Sequence, residues 1–178
     1  EALAKDKTVL NVFSYTGGFS LYAARGGAAS VVSLDASRPA LDAARRNFAL
    51  NPDISCPHDL ICGDAFAEMK ALISAEKTFD VVIIDPPSFA RKQSEIDAAR
   101  NAYARLAKLG LALLVPEGTL VLASCSSRIT MDDFAAITAR AARQAGRPLR
   151  VFERTGHALD HPATFAEGAY LKCLFAQA

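Results

Sequence analysis

Five short segments of this sequence gather the residue types that polar chemistry needs. They are Ser14-Tyr15-Thr16-Gly17-Gly18, Asp35 with Ala36 and Ser37, Gly63-Asp64-Ala65, Asp85-Pro86-Pro87 and Ser124-Cys125-Ser126. Gly17 and Gly18 let the backbone pass close to a ligand and turn into a helix whose N-terminal amides point at it, although a plain strand-to-helix turn reads the same way. Asp35 follows at close to the ~20-residue interval at which an acidic side chain meets the ribose hydroxyls of a nucleoside. Asp64 suits an exocyclic amino group, or the N-cap of a helix starting at Ala65, or both. Cys125 is a candidate nucleophile; on position alone, a small buried core residue is an equal reading.

The glycine turn is not GxGxxG, and no nearby arginine completes a phosphate cradle. A dinucleotide such as NAD therefore fits poorly. A nucleoside cofactor without a pyrophosphate fits better, which points to S-adenosylmethionine.

These groups act together only if one scaffold edge carries them. The chain alternates β-branched runs with alanine-rich amphipathic stretches, the pattern of an α/β, doubly wound, Rossmann-like sheet that is mostly parallel. Expected strands are 8–13, 30–34, 59–62, 79–84 and 119–123, and each ends at one of the five segments. Ligands of such sheets bind just beyond the carboxyl ends of the strands. Expected helices follow Gly18, Ser37, Asp64 and Thr130, with a longer one from Ser94 to Leu114 closed by Pro116 and Gly118. Segments 149–154 and 170–176 read as two further strands with no helix between them, hence an antiparallel hairpin closing the sheet.

Composition narrows the class. At 178 residues, 51% hydrophobic and 22% charged, the chain is an ordinary globular domain rather than a disordered one. Its longest apolar runs fall far short of the ~20 residues of a membrane span. Residues 1–7, EALAKDK, lack the apolar region of a secretion signal. Four scattered cysteines with no CxxC pair suit a reducing cytoplasm. Cys56, His58 and Cys62 match no zinc spacing, so no metal is expected. A net charge of +1 gives no strong field, so composition alone calls for neither a nucleic acid nor a membrane.

The stretches VLNVFSYTGGFSLYAARGGAASVVSLDAS, FDVVIIDPPSFAR, LVLASCSS and DHPATFAEGAYLK together resemble the class I S-adenosylmethionine-dependent methyltransferases. More narrowly, they resemble the large-subunit (23S) ribosomal RNA cytosine-C5 methyltransferases. The resemblance implies a seven-stranded sheet whose last strand runs antiparallel. It implies that the loop from Phe13 to Gly18, with Asp35 and Asp64, holds the cofactor, and that Asp85 lies between cofactor and base. It also implies an N-terminal RNA-binding domain of the PUA type, absent from this sequence, which starts at Glu1. The expectation is that 1–178 is the methyltransferase domain of a longer protein. The implied partner is large-subunit rRNA; a homodimer is compatible with the sequence, which does not specify one.

Under that resemblance the chemistry assigns itself. Cytosine C5 is a poor nucleophile toward a methyl sulfonium, and thiolate addition at C6 makes it enamine-like. Cys125 sits where the family's nucleophile sits, and Asp85 would bind the ring or amino edge of the cytosine. Ser124 and Ser126 could orient the thiolate, Pro86 and Pro87 would stiffen the loop, and Phe89 could wall the base or pack in the core. Arg91, Lys92 and Arg128 would lie at the rim and could hold phosphates. Many RNA cytosine-C5 methyltransferases carry a second cysteine after the Asp-Pro pair; Pro87-Ser88 stands there instead. Asp160, His161 or a water would then remove the C5 proton. Two other readings stay open: methyl transfer to an exocyclic base amine, which needs no nucleophile, and a non-catalytic cofactor-binding module in ribosome assembly.

Overall fold

A computed structural model of the chain describes residues 1–158, 163, 165, 168 and 170–178. One seven-stranded sheet runs through it in the order β3-β2-β1-β4-β5-β7-β6. The strands are β1 (Thr8–Val12), β2 (Ser30–Asp35), β3 (His58–Cys62), β4 (Phe79–Ile84), β5 (Leu114–Ser124), β6 (Arg150–Thr155) and β7 (Lys172–Gln177). Strands β1 to β5 pair in parallel, and β7 enters antiparallel between β5 and β6. The expected closing hairpin is therefore present, with its second strand on the inside.

Helices α1 (Gly18–Arg25), α2 (Arg38–Ala49), α3 (Ala65–Ser74), α4 (Ile96–Ala112) and α5 (Met131–Gln144) fill the crossovers. Their starts follow local chemistry. The side chains of Ser37, Asp64 and Thr130 accept from the amides of Ala40, Ala67 and Asp133, at 3.3, 2.9 and 3.0 Å. In α2, Leu41 and Ala44 are fully buried and Phe48 stacks on His58, as a shared apolar face requires. The main core lies between β1, β4, β5, β7 and the layer of α3, α4 and α5.

One segment departs from the sequence reading. Pro116 and Gly118 do not merely close α4; they lie inside β5, which begins at Leu114. The register jumps from the pair Phe79–Leu114 to the pair Val81–Thr119, so the residues between bulge outward, with Glu117 at φ 59°. Arg147 holds the bulge: its guanidinium donates to the carbonyls of Leu111, Leu114 and Val115. Proline is tolerated there because the bulge needs no ladder hydrogen bond from it.

Among the described residues no helix is long and apolar enough to cross a membrane.

Candidate active site

The ends of β1 to β4 converge on a cavity of about 410 Å3 whose lining includes Phe13, Tyr15, Asp35, Asp64, Asp85 and Pro87. A larger hollow of about 640 Å3 lies between the outer faces of α4 and α5, but none of the candidate residues borders it. The chemistry of the walls, and not volume, singles out the smaller cavity.

The loop after β1 is wound tightly. Phe13, Tyr15 and Gly17 have φ of 60°, 49° and 80°, in the left-handed region. For the two non-glycine residues this costs on the order of 1–3 kcal/mol each and persists only where surroundings enforce it. The enforcing contacts are present: Ser14 N–H donates to Leu34 O at 3.0 Å, Tyr15 N–H to Asp35 Oδ2 at 2.8 Å, and Asn47 Nδ2 to Thr16 O at 2.9 Å. At Gly17 a Cβ would stand 2.8 Å from that of Ala44, so glycine is needed both for the turn and for the approach of α2. Gly18 has no neighbour within 4 Å of such a Cβ, and nothing in the fold demands glycine there.

The acidic groups are poised rather than spent. Asp35 accepts from the amides of Tyr15 and Ser37 at 2.8 Å each, one per oxygen, and Asp64 uses one oxygen to cap α3. A carboxylate offers about four lone-pair positions, so both retain acceptor capacity toward the cavity. The lining holds three aspartates and no lysine or arginine. That repels a pyrophosphate and favours a cationic nucleoside rich in hydroxyls and amines. Ser14 Oγ is buried and has no partner among the described residues, a further polar atom beside the site for a ligand to satisfy. These groups fit S-adenosylmethionine. Ala36 and Ala65 line the same wall, which leaves room for a flat base.

Beyond the cavity, the loop after β4 meets the loop after β5. Cys125 is half-buried, with Sγ 3.9 Å from the carbonyl oxygen of Pro86. Burial pushes its thiol above the usual range, and the negative charge of Asp85 pushes the same way; Lys172 and Arg91 pull it down. Burial also raises the carboxyl of Asp85. Thiol and carboxyl thus share one partly dry site, where burial makes each harder to ionise than in water.

Several expected contacts go elsewhere. Ser124 and Ser126 are buried, and their hydroxyls do not face the thiol or the cavity. Ser124 Oγ donates to Tyr103 Oη at 2.8 Å, and Ser126 Oγ donates to Ala90 O at 2.9 Å while accepting from Ala90 N at 3.2 Å. In this structure the two serines tie the Cys125 turn to α4 and to the Asp85 loop. Phe89 packs against the core in edge contact with Tyr103, ring centroids 5.1 Å apart. Arg91 and Lys92 are exposed at the rim, and both backbone N–H groups donate to Glu95 Oε2. Arg128 is exposed as well. Asp160 and His161 lie outside the described residues. His58 is engaged by Ser33 Oγ at 2.8 Å and by the ring of Phe48 at 3.7 Å, a packing role.

Tyr103 and Lys172 went unremarked in the sequence. Tyr103 is fully buried in α4 and anchors Ser124; a lone aromatic in an alanine-leucine helix was its only signal. Lys172 breaks the apolar alternation of β7 and is buried beside the Cys125 turn.

Comparison with known proteins agrees with the cofactor chemistry of the cavity. Residues 1–176 match the family model described as S-adenosylmethionine-dependent methyltransferase. A "Ribosomal RNA large subunit methyltransferase" of Deinococcus radiodurans is 48% identical over 177 residues, 99% of this chain and 43% of that protein. A "Ribosomal RNA large subunit methyltransferase I" of Pseudoalteromonas translucida is 40% identical, over 98% of this chain and 44% of that protein. The chain therefore spans less than half the length of these relatives. Among solved structures, a chain described as a methyltransferase complexed with SAH superposes with a TM-score of 0.86 at 27% identity, over 98% of this chain and 46% of that one.

Proposed function

The chain belongs to the S-adenosylmethionine-dependent methyltransferase family, and from that premise we propose that it methylates C5 of a cytosine in large-subunit ribosomal RNA through a covalent bond between Cys125 and C6. The observation that carries this reading is the position of Cys125 against the loop that bears Asp85, with Sγ 3.9 Å from Pro86 O, while Asp85 itself lines the three-aspartate cavity. An amine methyltransferase needs a proline-rich loop after β4 but has no use for a thiol there. The relatives named for large-subunit ribosomal RNA support the substrate class.

The cofactor's contribution is an electrophilic methyl group. Asp35 would bind its ribose hydroxyls, Asp64 its adenine amino group, and the loop from Phe13 to Gly18 its amino-acid end. Asp85 and Cys125 act on the base. The S–H proton of Cys125 leaves to solvent, and the sulfur electron pair forms the bond to C6 as the C5–C6 π pair moves onto C5. Asp85, whose carboxyl burial raises so that its neutral form is more accessible than in water, donates to ring N3 and spreads the developing charge. After methylation, a water takes the C5 proton, the C5–C6 double bond re-forms as the C6–Sγ bond breaks to release Cys125 as thiolate, and the N3 proton returns to Asp85.

The test is a trap. Incubating the protein with S-adenosylmethionine and large-subunit RNA carrying 5-fluorocytosine should give a denaturation-resistant protein–RNA adduct, because fluorine cannot leave as a proton does. Methyl transfer to ordinary RNA without any adduct would instead establish the amine reading.

The cofactor half has its own expected result. Asp35→Ala removes a charged acceptor, worth about 1.5–3 kcal/mol per hydrogen bond, so S-adenosylmethionine should bind roughly 10–100-fold more weakly by calorimetry. An unchanged Kd would place the ribose elsewhere.

A further inference from the structure

Among the described residues Lys172 is the only buried charged side chain, at 5% exposure. Lysine is almost never buried without a partner for its charge. It opens β7 directly opposite Ser124 of β5, one residue from Cys125. Its Nζ donates to Ser126 O at 2.8 Å and to Tyr170 O at 2.7 Å. Among the described residues no carboxylate forms an ion pair with it. An ammonium has three protons to donate, and these two carbonyls use only two of them. Burial lowers the proton affinity of Lys172, while Cys125 raises it, so a thiolate at position 125 is the anion that would stabilise this charge.

Resting on the reading of Cys125 as the nucleophile, we propose that Lys172 is its positioning residue, clamping the Ser124–Ser126 turn to β7 through Ser126 O and supplying the positive charge that a Cys125 thiolate requires in this half-buried site. Four charged or titratable groups face that thiol: Asp85 from the end of β4, Arg91 from the loop that follows, Tyr103 from α4 and Lys172 from β7. Asp85 opposes ionisation. Arg91 is exposed at the rim and screened by water, which leaves Lys172 as the buried counter-charge. Clamp and charge are separable. A side chain that only fills space would keep the turn in place and leave the thiol's acidity unchanged.

The experiment measures the iodoacetamide alkylation rate of Cys125, peptide by peptide, over roughly pH 7 to 10, where cysteine thiols ionise. It compares the wild type with Lys172→Met and Lys172→Arg. In Lys172→Met the midpoint should move upward by about one unit, so alkylation at a fixed pH below it slows about tenfold. Lys172→Arg should restore most of the rate, because it keeps the charge. An unchanged midpoint in folded Lys172→Met, or the same rates in Met and Arg variants, overturns the proposal.

Should Lys172→Met not fold, the wild type still decides. The side-chain nitrogen resonance of Lys172, followed by NMR through the same range, should inflect at the Cys125 midpoint and lose that inflection in Cys125→Ser. No inflection overturns the proposal. None of these measurements needs RNA or methyl transfer. Coupling without a 5-fluorocytosine adduct would therefore sink the cytosine reading and leave the Lys172–Cys125 pair standing, whereas an adduct without coupling would do the reverse.

Discussion

Cys125→Ala should abolish methylation of large-subunit RNA while leaving S-adenosylmethionine binding within about twofold. Removing a nucleophile that acts as part of a catalytic unit costs on the order of 10⁴–10⁶ in kcat, and no other thiol is placed to substitute. Cys173, the nearest in sequence, lies in an apolar hollow with Val121, Ala123 and Phe175, and burial, with the charge of Asp85 adding to it, pushes it up to about 12. It stays protonated at neutral pH. The cofactor cavity does not include Cys125, so calorimetry with the ligand should barely register the change. Residual activity within about tenfold of wild type would make the thiol structural and return the amine reading. The alanine also removes little packing, since the side chain is only half-buried, so a collapse in Tm is not expected.

Asp85→Asn should move two observables in opposite directions. Methyl transfer should fall by about 10²–10⁴, the usual worth of a positioned acid or base. Alkylation of Cys125 near neutral pH should speed up, because the lost negative charge is one of the two causes that raise the thiol. The sign follows from the coupling: with Asp85 charged, ionising Cys125 puts two negative charges in one partly dry site. In the proposed mechanism the wild-type rate needs Cys125 ionised and Asp85 protonated at once. Activity should therefore plateau between the two ionisations and fall on either side, the acid limb marking loss of thiolate-forming capacity and the alkaline limb loss of the scarce protonated carboxyl. Slower alkylation in the Asn variant would mean that Asp85 helps to form the thiolate, contrary to the present arrangement.

Much of this site was legible from residue order because it depends on local rules. Strand ends in a parallel sheet collect ligand-binding groups, so Asp35, Asp64, Asp85 and Cys125 could be named from where the apolar runs stopped. Helix caps at Ser37, Asp64 and Thr130 likewise follow from short-range hydrogen bonding. What escaped was set by long-range contact. Ser124 and Ser126 look like polar residues flanking a nucleophile, and only Tyr103 in α4 and Ala90 after β4 show where their hydroxyls turn. The β5 bulge escaped for the same reason, since Arg147, 32 residues after Val115, is what makes Pro116 tolerable inside a strand. Lys172 was visible as a letter out of pattern, but its meaning needed the antiparallel pairing that sets it against Ser124.

That pairing also bears on how the protein comes into being. β7 follows β6 in the chain yet lies inside it in the sheet, threaded between β5 and β6, both made earlier. A growing polypeptide can close its parallel half and its cofactor loop while residues 172–177 are still inside the ribosome. Until they emerge, one side of β5 is an unpaired edge and the Cys125 turn has no lysine behind it. Non-local pairing of this kind is slow to form and exposes strand edges while it waits. The Cys125 turn is thus finished only after the parallel half, and a nascent chain that has closed its cofactor loop still lacks the lysine behind that turn.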